Sequence, residues 1–150
     1  MPFVLEKILS GGQTGVDQAG LKVAAALGYR TGGTAPRDWK TDEGPAPLLL
    51  QGYGLFENRF YGYATRTRQN VRDADLTVWF GDPDSPGGKL TISFARTIGK
   101  PVLINPDAAI LRKHLEHYPV KVLNVAGNRR RTNPAAMVQA TAVLTEALAR

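Results

Sequence analysis

The sequence has no cysteine, so disulfides and thiolate metal sites are excluded outright. It has only two histidines, His114 and His117. They fall three apart in a stretch that reads as a helix, with no third ligand nearby, and we take them as an exposed helix face rather than a zinc site. No structural metal is expected. No apolar run is long enough to cross a bilayer. The opening MPFVLEKILS lacks a basic leader and a cleavage site, so a cytoplasmic home with no membrane partner is expected. Base-stacking aromatics are not interleaved with the one dense basic run, Arg129 to Arg131, so nucleic acid is not the expected partner.

What remains is a chain of 150 residues, 43% apolar, with 19 basic against 13 acidic side chains and a net charge of +6. That length and apolar content suit one domain, 1–150, with one core. The charge favours anionic partners without saying which.

Val4 to Leu9 is apolar and stops at Ser10-Gly11-Gly12, as a buried strand entering a turn does. From Val16 to Leu27 the apolar positions suit a helix ended by Gly28. A short strand follows near Tyr29 to Thr31. The stretch from Thr34 to Tyr63 then reads as one long irregular loop, a lid or a subunit contact. Thr65 to Ala74 reads as a helix and Leu76 to Phe80 as a strand whose Trp79 and Phe80 serve packing. Gly81 to Gly88 is a loop, Lys89 to Ile98 a helix ended by Gly99, and Pro101 to Ile104 a strand. Asp107 caps a helix to about His117. Val120 to Val125 is a strand, and Pro134 starts the last helix. The alternation implies an α/β Rossmann-like three-layer sandwich, with a mainly parallel sheet and helices on both faces.

Open parallel sheets bind ligands beyond the carboxyl ends of their strands, so the strand-to-helix loops are the candidate sites. In the first, Ser10 to Gly20, Gly11, Gly12 and Gly15 let a ligand approach the backbone. The helix start offers unpaired amides to phosphate, and Gln13, Thr14 and Asp17 add polar groups. The spacing is neither the dinucleotide fingerprint nor a Walker sequence, and a tight, well-capped turn is the bland alternative. The second, Asp84 to Thr91, offers Gly87, Gly88, Lys89 and Thr91, or else an ordinary surface loop. The third, Val125 to Pro134, offers Gly127 and Arg129, or else arginines that only solvate the surface. Arg66, Asn70 and Asp73 share a helix face, and pattern alone favours a solvated face over a recognition stripe. The expectation common to all three loops is that free amides at two or more helix starts converge on an anion.

GGQTGVD at Gly11 to Asp17, the pair Gly32-Gly33 before Pro36, DEGP at Asp42 to Pro45 and RTRQNVRDAD at Arg66 to Asp75 together resemble the molybdenum-carrier family. That family is a circularly permuted YpsA-type branch of the SLOG superfamily, related to the LOG or lysine-decarboxylase-like proteins. GGKLTISFA, GKPVLIN and VLNVAGNR extend the resemblance over nearly the whole chain. It implies a Rossmann-like fold, a homo-oligomer (dimer or tetramer), and a phosphate-bearing small molecule as ligand: molybdenum cofactor, or a nucleotide of the AMP, NAD or ADP-ribose type. Carried over, the first and second loops hold that ligand, with Gly33, Arg66, Thr67 and Asn70 as further contacts. PGGKLTISF, Pro86 to Phe94, also lies on the PGGxGTxxE motif of LOG phosphoribohydrolases, but Ser93 and Phe94 stand where the glutamate belongs. Neither can do a carboxylate's acid–base work. Binding, as a carrier or sensor, is therefore expected over nucleotide N-glycosidase activity.

Overall fold

The structure is a computed structural model that describes residues 2–150. Its strands are β1 (Lys7–Leu9), β2 (Arg30–Ala35), β3 (Leu55–Glu57), β4 (Leu76–Phe80), β5 (Val102–Ile104) and β6 (Val122–Gly127). Its helices are α1 (Val16–Ala26), α2 (Pro47–Gly52), α3 (Tyr63–Asp73), α4 (Pro86–Thr97), α5 (Ala108–His117) and α6 (Pro134–Ala147). The strands form one all-parallel sheet in the order β3-β2-β1-β6-β4-β5. Helix α6 packs on α1 and α5, and α3 packs on α4, which makes the three-layer α/β arrangement.

Strand side chains alternate between the two faces, and here the faces differ in chemistry. Leu76, Val78 and Phe80 of β4, with Leu123 and Val125 of β6, join the main apolar core with α1, α5 and α6. The alternate positions, Thr77, Trp79, Asn124 and Ala126, lie on the other face. There Asn124 Nδ2 donates to Thr77 Oγ1 at 3.3 Å, both side chains buried. One side of the sheet is thus a dry core and the other carries polar groups at its centre.

Helix starts follow local chemistry. Ser85 caps α4, accepting from Gly88 N, with Pro86 in the first position. Asn133 caps α6 at Ala136 N, again followed by proline. Asp107 caps α5, accepting from Ile110 N at 2.7 Å. Asp107→Ala is expected to lose about 1 kcal/mol of stability in urea denaturation without altering any ligand affinity, since α5 lines no part of the cavity described below.

Several boundaries differ from the sequence reading. The stretch 34–63 is not one irregular loop. Strand β2 runs on to Ala35, a 3₁₀ turn occupies Arg37–Trp39, and α2 and β3 follow. Strand β3 pairs with β2 from Gly33↔Leu55 to Ala35↔Glu57. Elements this short have no readable periodicity. They hold because Leu50 and Leu55 bury against Leu21 and Ala35. Strand β1 is shorter than expected, and β6 reaches two residues beyond Val125. Helix α4 begins at Pro86, so Gly87 and Gly88 belong to its first turn rather than to a loop.

Candidate functional site

At the carboxyl edge of β1, β6 and β4 a cavity of about 660 Å³ opens between the polar face of the sheet and helices α3 and α4. That volume is in the range of pockets for small organic ligands. Strand β6 separates β1, whose chain winds toward β2 and β3, from β4, which leads to β5 on the other side. This is the crevice where doubly wound sheets take ligands.

The β1–α1 loop is turned in on itself. Gly12 N–H donates to Ser10 Oγ (3.2 Å), Gln13 N–H to Asp17 Oδ2 (3.2 Å) and Thr14 N–H to Gln13 Oε1 (3.0 Å). Val16 N–H donates to Asn128 O and Gln18 N–H to Gln13 O. This corrects the expectation of free amides at the first loop. The amides of Gly12, Gln13, Thr14, Val16 and Gln18 are already taken, and the Asp17 carboxylate sits among them.

Asp17 is paired across the fold with Arg66 of α3, Nη1 to Oδ2 at 3.5 Å. The guanidinium reaches it only because residue 11 has no side chain: a Cβ on Gly11 would stand 1.9 Å from Arg66 Nη1. Burial pushes the Asp17 carboxyl above its ordinary pKa, against the opposing pull of Arg66, the Gln13 amide, Arg129 and the Gly11 amide. Burial likewise lowers Arg66, against the pull of Asp17. Tyr63 stands between two cations. Arg66 Cζ lies 5.4 Å and Arg129 Cζ 4.9 Å from its ring centre. Arg129 is paired in turn with Asp42, Nη1 to Oδ1 at 3.2 Å, while its side chain stays 42% exposed and within reach of solutes. The segment carrying Asp42 is tied to the first loop by Asp42 N–H donating to Gln13 Oε1 at 2.8 Å.

Two more helix starts face the cavity. Asn128 bridges them: its Oδ1 accepts from Asp82 N (2.6 Å), its Nδ2 donates to Ser85 Oγ (3.1 Å), and Asn133 Nδ2 reaches its Oδ1 (3.3 Å). Three lining residues carry a buried donor without a partner: Gln13 Nε2, Arg66 Nε and Trp79 Nε1. Unpaired buried donors are costly, and all three call for acceptors.

Of the sequence-predicted residues, Gly11, Gln13, Asp17, Arg66, Thr67, Asn70, Gly87, Thr91, Gly127 and Arg129 line this cavity. Asn70 also clamps β2, donating to Thr34 O and accepting from Thr34 N. Gly12, Thr14, Gly15, Gly33, Gly88 and Lys89 lie outside the lining. Gly12 meets Leu50 and Leu55, Gly15 the backbone at Arg129 and Arg130, Gly33 the Ser10 backbone, and Gly88 the carbonyls of Asp82 and Pro83. Thr14 is buried, its carbonyl accepting from Arg130 N. Lys89 points outward, into a shallow groove with Asp84, Ser93 and Arg96. Ser93 lies in that groove and Phe94 under Arg72, so the position of the LOG glutamate is also outside the cavity. Sequence reasoning missed Tyr63, Asn124 and Asn128, and read Trp79 as packing first, although it lines the cavity. A polar residue inside the buried strand VLNVAG was the one available sign, at Asn124.

Among the described residues, no group of three or more His, Asp or Glu side chains converges as a metal site would require. No helix among them is long and apolar enough to cross a membrane.

Residues 8–148 match the sequence profile of the circularly permutated YpsA SLOG family. A solved structure from Syntrophus aciditrophicus SB, named "Putative molybdenum carrier protein", is 30% identical, with a TM-score of 0.85 over 98% of this chain and 97% of that one. The E-1-hydroxy-2-methyl-but-2-enyl-4-diphosphate reductase of Plasmodium falciparum is 16% identical, with a TM-score of 0.39 over 95% of this chain and 53% of that one. No curated protein sequence matches the chain.

Proposed function

Because this chain belongs to the circularly permutated YpsA SLOG family, we propose that it binds a phosphate-bearing, nucleotide-like small molecule in the cavity between α3 and α4, as a carrier or sensor. One observation carries this reading: two arginines from different elements, Arg66 and Arg129, meet over Tyr63 at a cavity whose unpartnered buried side-chain atoms are all donors. Guanidinium groups match the planar, acceptor-rich geometry of phosphate. The anionic end of the ligand lies at Arg66 and Arg129. Its ring lies deeper, near Trp79 and Leu90, where Trp79 Nε1 donates to it.

The candidate ligands are AMP, NAD or ADP-ribose, and molybdenum cofactor, the last suggested by the name of the Syntrophus neighbour. The donor set fits the phosphate and the heterocycle of that cofactor. No histidine or cysteine lines the cavity, so the chain holds it by its organic part and not by coordinating its metal. We extend the reading to a cytoplasmic homo-oligomer. Leu48, Phe56, Phe60 and Tyr61 stand exposed on α2, on the edge strand β3 and in the turn after it, and such apolar side chains favour association.

Calorimetry and thermal-shift measurements with AMP, NAD, ADP-ribose and molybdenum cofactor test the proposal. At least one is expected to bind, and Arg129→Gln is expected to weaken it roughly tenfold, the effect of losing one charged hydrogen bond. If none stabilises the protein even at about millimolar concentration, the reading fails.

A second reading, nucleotide N-glycosidase, has one observation in its favour: a buried carboxyl with a raised pKa, Asp17, lines the cavity. Incubation with nucleoside monophosphates decides it. Released base that disappears in Asp17→Asn supports hydrolysis, and no released base excludes it.

A further inference from the structure

Both cations of the cavity are already neutralised from within the chain, Arg66 by Asp17 and Arg129 by Asp42. The two pairs are not alike. Arg129 keeps its side chain 42% exposed beside Asp42, so solvent screens that pair. Asp17 has no such screening. It is 4% exposed, it lies in the first turn of α1, and its Oδ2 accepts from Gln13 N–H at 3.2 Å while facing Arg66 at 3.5 Å. Arg66 makes that contact with one nitrogen only, and its Nε has no partner. The guanidinium therefore has room for a second acceptor without releasing the first.

We propose that the cavity takes up its anionic ligand together with one proton, which Asp17 accepts from solvent as the ligand's acidic group settles on Arg66. This rests on the proposed ligand site and specifies its chemistry. A second negative charge on Arg66 stands within a few ångströms of the Asp17 carboxylate, in a place too buried for water to screen it. Two carboxylate-like charges sharing one cation at that range cannot both stay ionised. The groups facing Asp17 leave no other outlet. From α3 there are Arg66 and Tyr63, from the β6–α6 loop Arg129, and across the cavity, from the β4–α4 loop, Asp82, itself acidic. Neither histidine lines the cavity. Burial already raises the Asp17 carboxyl in the ligand-free protein, which supports the direction. Protonated, Asp17 still accepts from Gln13 N–H and leaves Arg66 to the ligand.

The balance is simple: one proton moves from solvent to Asp17 Oδ, no covalent bond of the ligand changes, and affinity falls as pH rises. Between the titration of Asp17 in the free protein and its higher titration in the complex, the dissociation constant grows about tenfold per pH unit.

Calorimetric titration with ADP-ribose, whose diphosphate does not titrate near neutral pH, and with AMP above the second ionisation of its own phosphate (about 6), gives the test. Run in two buffers of different ionisation enthalpy between about pH 6 and 9, it counts protons directly. We expect net proton uptake, at most one per ligand and largest between the titrations of Asp17 in the free and the bound protein, and a pH-independent affinity with no uptake in Asp17→Asn. Carbonyl ¹³C NMR of labelled aspartate in the unmutated protein reads the same event if that variant fails to fold: the Asp17 resonance moves to the protonated position on binding. Binding without proton uptake, or uptake that survives in Asp17→Asn, overturns the inference and leaves the ligand site standing. Binding of neither probe at any pH overturns both.

Discussion

Asp17→Ala is expected to lower the folding stability by about 3 kcal/mol. The carboxylate satisfies Gln13 N–H and is the ion-pair partner of Arg66, whose side chain is only 13% exposed. Without it a buried guanidinium remains that cannot shed its proton. Arg66→Met in the same background should recover much of the loss, because the orphaned charge goes with it. The single change Arg66→Met should cost less than Asp17→Ala, since a carboxyl left alone can take a proton. Urea denaturation of the four chains measures this, and a double-mutant coupling near zero would show that the pair is not energetically joined. The same carboxyl sets a pH dependence. Unfolded, it titrates at about 3.9; folded, it titrates higher, because burial outweighs Arg66 and the amides. Between those values the folded chain keeps a proton that the unfolded chain has released, so this group's contribution falls as pH rises through the window. Asp17→Asn should flatten that part of the stability profile.

The second large effect is expected at Gly33. Its φ is +128°, a conformation that side chains rarely adopt, and a Cβ there would stand 2.2 Å from Ser10 O and 2.9 Å from Ser10 N. Both atoms are backbone of the β1 end, so nothing can rotate aside, and β1 and β2 must part. Gly33→Ala should cost more than about 4 kcal/mol or abolish folding. Gly99→Ala is the control. Its φ is +73° but the space beside it is open, and it should cost about 1 kcal/mol. Equal stability of the two variants in urea would refute the close-approach argument.

These two positions show where sequence reading reached and where it stopped. Asp17 stood out as a ligand candidate because a loop rich in glycine and polar residues precedes a helix, and Gly33 because of the family resemblance. In the fold, the absence of a side chain at Gly33 admits the Ser10 backbone, and at Gly11 it admits the Arg66 guanidinium. A glycine's function depends on what approaches it, and that neighbour lies far away in the chain. Lys89 illustrates the same limit. Taking α4 from Lys89 put the cation at a helix start facing a ligand, whereas the Ser85 cap starts the helix at Pro86 and turns Lys89 outward. Asn128 gave no local sign of its role, because its partners, Asp82 and Ser85, are more than 40 residues away.

From the sequence alone came the alternating strands and helices, the buried β4, the Asp107 cap of α5, the start of α6 at Pro134, and the edge of the sheet on which the cavity opens. All of these depend on periodicity and on neighbours a few residues apart. Only the tertiary structure decided that the first loop spends its amides on its own side chains, that Arg66 crosses 49 residues of sequence to meet Asp17, and that Tyr63 gathers two arginines at one cavity. The reason is that charge pairing acts through space, and the sequence order does not record which distant side chains the packed sheet brings within a few ångströms.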